Sequence, residues 1–202
     1  MEVALSLEKL NERIGYKYER DEMRVVGIML ARYEPEITKK IVNENYMYWH
    51  DNTNIGFDIF WAGYGAYLPP SEQSGSKIIL DFEENTKRVY YDRRAFITVK
   101  NELSYAFRAR YKDHIQLALV NYYEGKLHFD ESFMIDLEQN LDENLASIRK
   151  IIEWLTDECC REANVKTILL KMKQEELIEK IKGISISDVI STAIGMAGLK
   201  FS

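Results

Sequence analysis

The sequence predicts a layered α/β protein, and three observations point to it. From Met23 to Ala163, short runs rich in branched apolar residues alternate with segments whose apolar residues recur every three or four positions. Residues 1–22 and 164–202 carry helical periodicity only, so they read as an N-terminal helix and a helical C-terminal extension flanking the α/β domain of residues 23–163. The 202 residues are 46% hydrophobic and 30% charged, with three prolines and ten glycines, which fits a compact domain and excludes a disordered or collagen-like chain.

Leu7, Leu10 and Ile14 predict a short amphipathic helix over residues 4–14. The run from Val25 to Ala31 reads as a buried strand. Glu34-Pro35-Glu36 starts a helix that runs to about Trp49, because proline suits a first turn and acids complement the helix dipole. A strand over residues 55–62 follows, then a loop punctuated by Gly63, Gly65, Pro69, Pro70 and Gly75. Residues 77–82 and 88–91 read as paired strands. Asp92 caps a helix to about Ala109 with Phe96, Val99, Leu103, Ala106 and Phe107 on its inner side. Residues 114–122 and 126–135 form a hairpin around Glu124-Gly125. Leu137, Leu141, Leu145, Ile148, Ile152, Leu155 and Cys159 predict a helix over residues 137–163. Two more helices are expected, residues 165–181 and 188–199, the latter capped by Ser185 or Ser187.

Without the first helix and the short hairpin, the order is βα-βα-ββ-α, which resembles the thioredoxin-like topology. The resemblance spans residues 23–163 and implies a central mixed sheet with helices on both faces. It implies no thiol chemistry, since Glu34-Pro35-Glu36-Ile37 stands where that family carries CxxC, and no proline precedes the strand beginning at Lys126. The segment from Phe57 to Tyr67 is also similar to small uncharacterised proteins of bacterial anti-phage operons, which implies an operon partner and a sensing or adaptor role.

Net charge is −6, a poor starting point for a dedicated nucleic-acid binder. Charge is uneven, however. Residues 87–112 hold eight basic against two acidic residues, whereas residues 41–80 are net acidic. Cys159 and Cys160 are adjacent and the sole cysteines, so no disulfide framework is expected and the chain reads as cytoplasmic and reduced. Neither a signal peptide nor an apolar run long enough to cross a bilayer is legible.

Five groups of residues are candidates for function. Arg93, Arg94, Lys100 and Arg108 flank the inner side of the helix that Asp92 caps, a basic stripe suited to an anion, a nucleic acid or an acidic protein partner. Trp61, Gly63, Tyr64, Gly65 and Tyr67 form a glycine-aromatic turn at the end of a strand, either a tight turn or a ligand-lining loop. Asp58, Asp81 and Glu83 are the carboxylates a metal-dependent hydrolase of nucleotides or nucleic acid would need, though turn-flanking acids serve structure as well. His50, His114 and His128 lack zinc-ligand spacing, and acids beside Cys159 and Cys160 disfavour an activated thiol. Ser187, Ser191 and Gly195 fall four apart on the last helix and permit close approach of this tail to its own domain or to a second chain, including a copy of itself. No cofactor motif is present. The leading expectation is a non-catalytic interaction or sensing subunit of a multi-protein bacterial system. The metal-dependent hydrolase and a structural oligomer built on the last helix are the alternatives.

Overall fold

A computed structural model describes residues 2–4, 6–53, 57–65, 76–82, 87–107, 111–140, 146–181 and 184–186. The chain is α/β. In order, the elements are β1 (Glu2–Ala4), α1 (Leu7–Lys17), β2 (Arg24–Leu30), α2 (Glu36–Asn52), β3 (Asp58–Ala62), β4 (Tyr64–Gly65), β5 (Lys77–Phe82), β6 (Lys87–Tyr91), α3 (Arg93–Ala106), β7 (Gln116–Tyr123), β8 (Lys126–Asp136), α4 (Ala146–Arg161), α5 (Val165–Gln174), α6 (Leu177–Lys180) and β9 (Ile184–Ile186).

The main sheet has six strands in the order β1-β3-β2-β7-β8-β9. β3 runs parallel to β1 and β2, and the remaining pairings are antiparallel, so the sheet is mixed. Side chains alternate between faces. Register therefore puts Val25, Gly27 and Met29 on one face with Ile59, Trp61, Leu117, Leu119 and Asn121. On that face α2 packs Trp49 against Trp61 with ring centroids 5.2 Å apart. There too, α5 begins where Val165 N donates to Asn121 Oδ1 at 2.9 Å. α4 joins this layer through Arg149 Nε donating to Asn45 Oδ1 at 2.7 Å. The opposite face carries α1, whose Leu10 and Ile14 are fully buried, and α3, whose Phe96, Val99 and Leu103 are buried. These two helices meet where Leu7 N donates to Glu102 at 2.8 Å. Helices thus cover both faces, which is why nearly every residue of β2, β3 and β7 is buried.

A second sheet, β4-β6-β5, stands on the path from β3 to α3. Gly63 makes the turn into it with φ of 76°, and a Cβ there would lie 2.5 Å from the Asp92 carbonyl oxygen. Asp92 caps α3 as expected, accepting from Arg94 N at 2.7 Å and Ala95 N at 3.2 Å.

Four expectations need correction. The first helix starts at Leu7 under a Ser6 cap, and residues 2–4 add an edge strand that three residues are too few to announce. The helix expected from Leu137 opens as a 3-10 turn over Glu138–Asn140, with α4 described from Ala146. Its apolar positions Ile148, Ile152, Leu155 and Cys159 are buried nonetheless. The helix expected over 165–181 breaks at Glu176, which takes a left-handed φ of 57°. Ile184–Ile186 extends the sheet as β9, so Ser185 lies in a strand, and the helix expected over residues 188–199 lies outside the described residues with Ser187. No helix among the described residues is long and apolar enough to cross a membrane.

Candidate functional site

The parallel strands β2 and β3 end on the same side of the sheet as β7 begins and β8 finishes, because Leu30 pairs with Gln116 and Gln116 with Asp136. Open α/β sheets place ligands at such strand ends, where loops converge and helices start. Just beyond this row lie Arg32, Tyr33 and Glu34 after β2, Tyr64 after β3, Tyr91 and Arg93 around the start of α3, residues 111–115 before β7, and Glu138 and Gln139 after β8.

Charge is organised here in a chain. Arg32 Nη2 holds Asp113 at 2.7 Å, Arg32 Nε faces Glu34 at 3.8 Å, and Arg93 Nε holds the other Glu34 oxygen at 3.2 Å. Tyr91 Oη donates to Glu34 at 3.3 Å. Below this chain the rings of Tyr33, Tyr64 and Tyr91 pack with centroids 5.0–6.2 Å apart, and Trp61 meets Tyr64 at 5.3 Å. Tyr64 is 1% exposed, and neither its hydroxyl nor Gln116 Oε1 has a hydrogen-bond partner among the described residues. Burial, with the other tyrosines and Glu34 close by, pushes the Tyr64 phenol well above its ordinary value. It is therefore a neutral donor.

At the other end of the row His114 Nδ1 lies 2.8 Å from Asp136 Oδ2. Asp136 is buried and also accepts from the backbone N of Gln139 at 3.2 Å and its Nε2 at 2.9 Å. A carboxylate only accepts, so Nδ1 carries the proton and Nε2 is left to exchange one with a ligand. The Asp136 hydrogen bond raises the His114 pKa, against a smaller opposing effect of desolvation. Chemically, this end of the sheet offers one proton-exchanging group, two paired guanidinium groups and a buried neutral phenol.

Most sequence candidates lie elsewhere or are turned inward. Trp61, Gly63, Tyr64 and Gly65 are buried, so the described part of this turn presents no side chain to solvent, and Gly63 is required by the turn itself. Tyr67 lies outside the described residues. Arg93 borders the site through Glu34, while Arg94 and Lys100 have no acidic partner among the described residues. Arg108 lies outside them. Asp58 and Asp81 are not brought together. Asp58, in the six-stranded sheet, is buried against Lys17 Nζ at 2.5 Å and accepts from Tyr18 Oη, while Asp81, in the other sheet, pairs with Arg88 at 3.1 Å. Glu83 lies outside the described residues, and no group of three metal-ligating side chains occurs among them. His50 falls on α2, and His128 stacks on Tyr123 at 3.5 Å. Cys159 is buried and Cys160 exposed, and desolvation raises both thiols. Ser187, Ser191 and Gly195 lie outside the described residues.

Sequence reasoning missed the His114–Asp136 pair because its members are 22 residues apart, beyond any local spacing rule. The available signal was hairpin arithmetic: a turn at Glu124-Gly125 folds the residues before β7 back onto the end of β8. No protein-family model, no curated protein and no solved structure matches this chain.

Proposed function

We propose that the chain is a non-catalytic interaction or sensing module that recognises an anionic partner through α3 and the adjoining end of the sheet. The observation that carries this reading is the set of cations outside the buried stripe of α3. Arg94 and Lys100 stand there without acidic partners among the described residues, next to an Arg93 that Glu34 only partly neutralises. Cations with no intramolecular partner retain their affinity for phosphate or carboxylate groups. Partner recognition in a multi-protein bacterial defence system is the fuller form of this reading, and it rests on the likeness of residues 57–67 to proteins of such operons. The mixed sheet, the helices on both faces and the β7-β8 hairpin support a thioredoxin-like reading of residues 23–163, with Glu34-Pro35-Glu36 in place of the thiols.

The test is anisotropy of a labelled single-stranded oligonucleotide and, separately, of a labelled poly-glutamate peptide. Reversing Arg94 and Lys100 to Glu should weaken binding of one of them by roughly tenfold or more, with an affinity that falls steeply with salt. Adding Arg93→Glu and Arg108→Glu should weaken it further. Binding of neither probe, or binding indifferent to the reversals, removes the proposal. The hydrolase alternative would draw on Asp58 and Asp81, which stand in different sheets and each hold a cation, and on Glu83, which lies outside the described residues.

A further inference from the structure

We infer that the outward side of α3 is a binding surface for single-stranded nucleic acid, with a base stacked on Tyr105 and phosphates held by Arg94 and Lys100. This rests on the reading of α3 as an anion-recognising surface and names its partner. The buried stripe of the helix is Ala95, Phe96, Val99 and Leu103. At about 100° per residue, Arg94, Ile97, Asn101 and Tyr105 fall on the opposite side, and all four are exposed. Arg94 and Tyr105 lie close to three whole turns apart, roughly 17 Å along the axis. Arg93 and Lys100, close to two turns apart, line one flank of that side.

Tyr105 is 89% exposed, so its ring adds almost nothing to the core, and Ile97, about two turns earlier, is 39% exposed. An exposed apolar side chain alone signifies little. Its alignment with unpaired cations is what points to a ligand. Arg94 and Lys100 have no acidic partner among the described residues. The one acid of the helix, Glu102, falls on the other flank, where it accepts from Leu7 N at 2.8 Å. The helix is thus locally basic on its outward side, although the chain as a whole carries −6. Each nucleotide of a single strand offers an unpaired base face and a phosphate together, and stacking on an aromatic ring tolerates any base. A run of carboxylates would engage the cations and leave Tyr105 idle. A duplex keeps its base faces stacked on one another. A convex helix surface suits a chain laid across it, whereas a small molecule needs enclosure.

Anisotropy of the full chain with three labelled probes tests the inference: an oligothymidylate, an abasic deoxyribose-phosphate strand of the same length, and poly-glutamate. The two strands carry the same phosphates and differ only in their bases. Oligothymidylate should bind roughly fivefold or more tightly than the abasic strand. Tyr105→Ala should erase that difference and leave the salt dependence unchanged, whereas Tyr105→Phe should retain it. Arg94→Gln with Lys100→Gln should weaken both strands and flatten the salt dependence. Because Tyr105 lies outside the core, its variants should melt close to the unaltered chain, which a thermal melt confirms. Equal binding of the two strands, a harmless Tyr105→Ala, or tighter binding of poly-glutamate overturns the nucleic-acid assignment and leaves the general anion reading of α3 in place. Binding of no probe overturns both.

Discussion

Asp58 and Asp136 are both buried carboxylates, and each is tolerable only because fixed donors surround it. Lys17→Met should destabilise the protein by about 2–3 kcal/mol in urea unfolding, since the loss strands the Asp58 charge even though Lys17 itself is half-exposed. A loss under about 0.5 kcal/mol would mean that water already solvates Asp58. His114 sets a pH dependence. Its folded pKa is raised by Asp136, reinforced by Glu138 and opposed by desolvation and Lys112. A raised folded pKa stabilises fully below the ordinary imidazole value of 6.5, and the stabilisation disappears as pH climbs through the folded value. Stability should therefore decline across the neutral range, and Asp136→Asn should flatten that decline. Thermal melts at a series of pH values read both, alongside NMR titration of the three histidines.

At the scale of elements, caps and turns state their roles openly. Asp92→Ala removes both side-chain acceptors from the start of α3 and should cost about 1 kcal/mol. Gly63→Ala should cost more, about 2 kcal/mol or above, because φ is 76° and the new methyl would meet the Asp92 carbonyl oxygen at 2.5 Å. Chemical denaturation of the two variants ranks them, and a milder Gly63→Ala than Asp92→Ala would contradict the turn geometry. Asp92, the Glu34-Pro35-Glu36 helix start and the Glu124-Gly125 turn were all legible in sequence, because each acts on its own backbone neighbours. β1 and β9 were not. Three residues carry too little periodicity to register, and each becomes a strand only because β3 or β8 offers an unpaired edge.

For the whole molecule, β9 changes what a C-terminal truncation would mean. Ile184 is fully buried and pairs with Ile135, so cutting after Gly183 removes a strand of the main sheet as well as the tail. A truncation after Gly183 should lower Tm by several degrees, whereas one after Ile186 should spare the sheet and test association through the tail alone by light scattering. Equal melting of the two truncated chains would show that β9 contributes nothing.

The alternation of strand and helix and the buried stripes of α1, α3 and α4 were determined by the sequence alone, since hydrophobic period and capping are local properties. Which side chains meet was decided only by the tertiary structure. Parallel pairing of β2 with β3 and the register of β7 against β8 bring together residues that no spacing rule connects. In this way Asp58 is paired with Lys17 and kept apart from Asp81, and His114 is set against Asp136. The physical reason is that long-range register depends on how both faces of the sheet are covered at once, a condition no single segment carries.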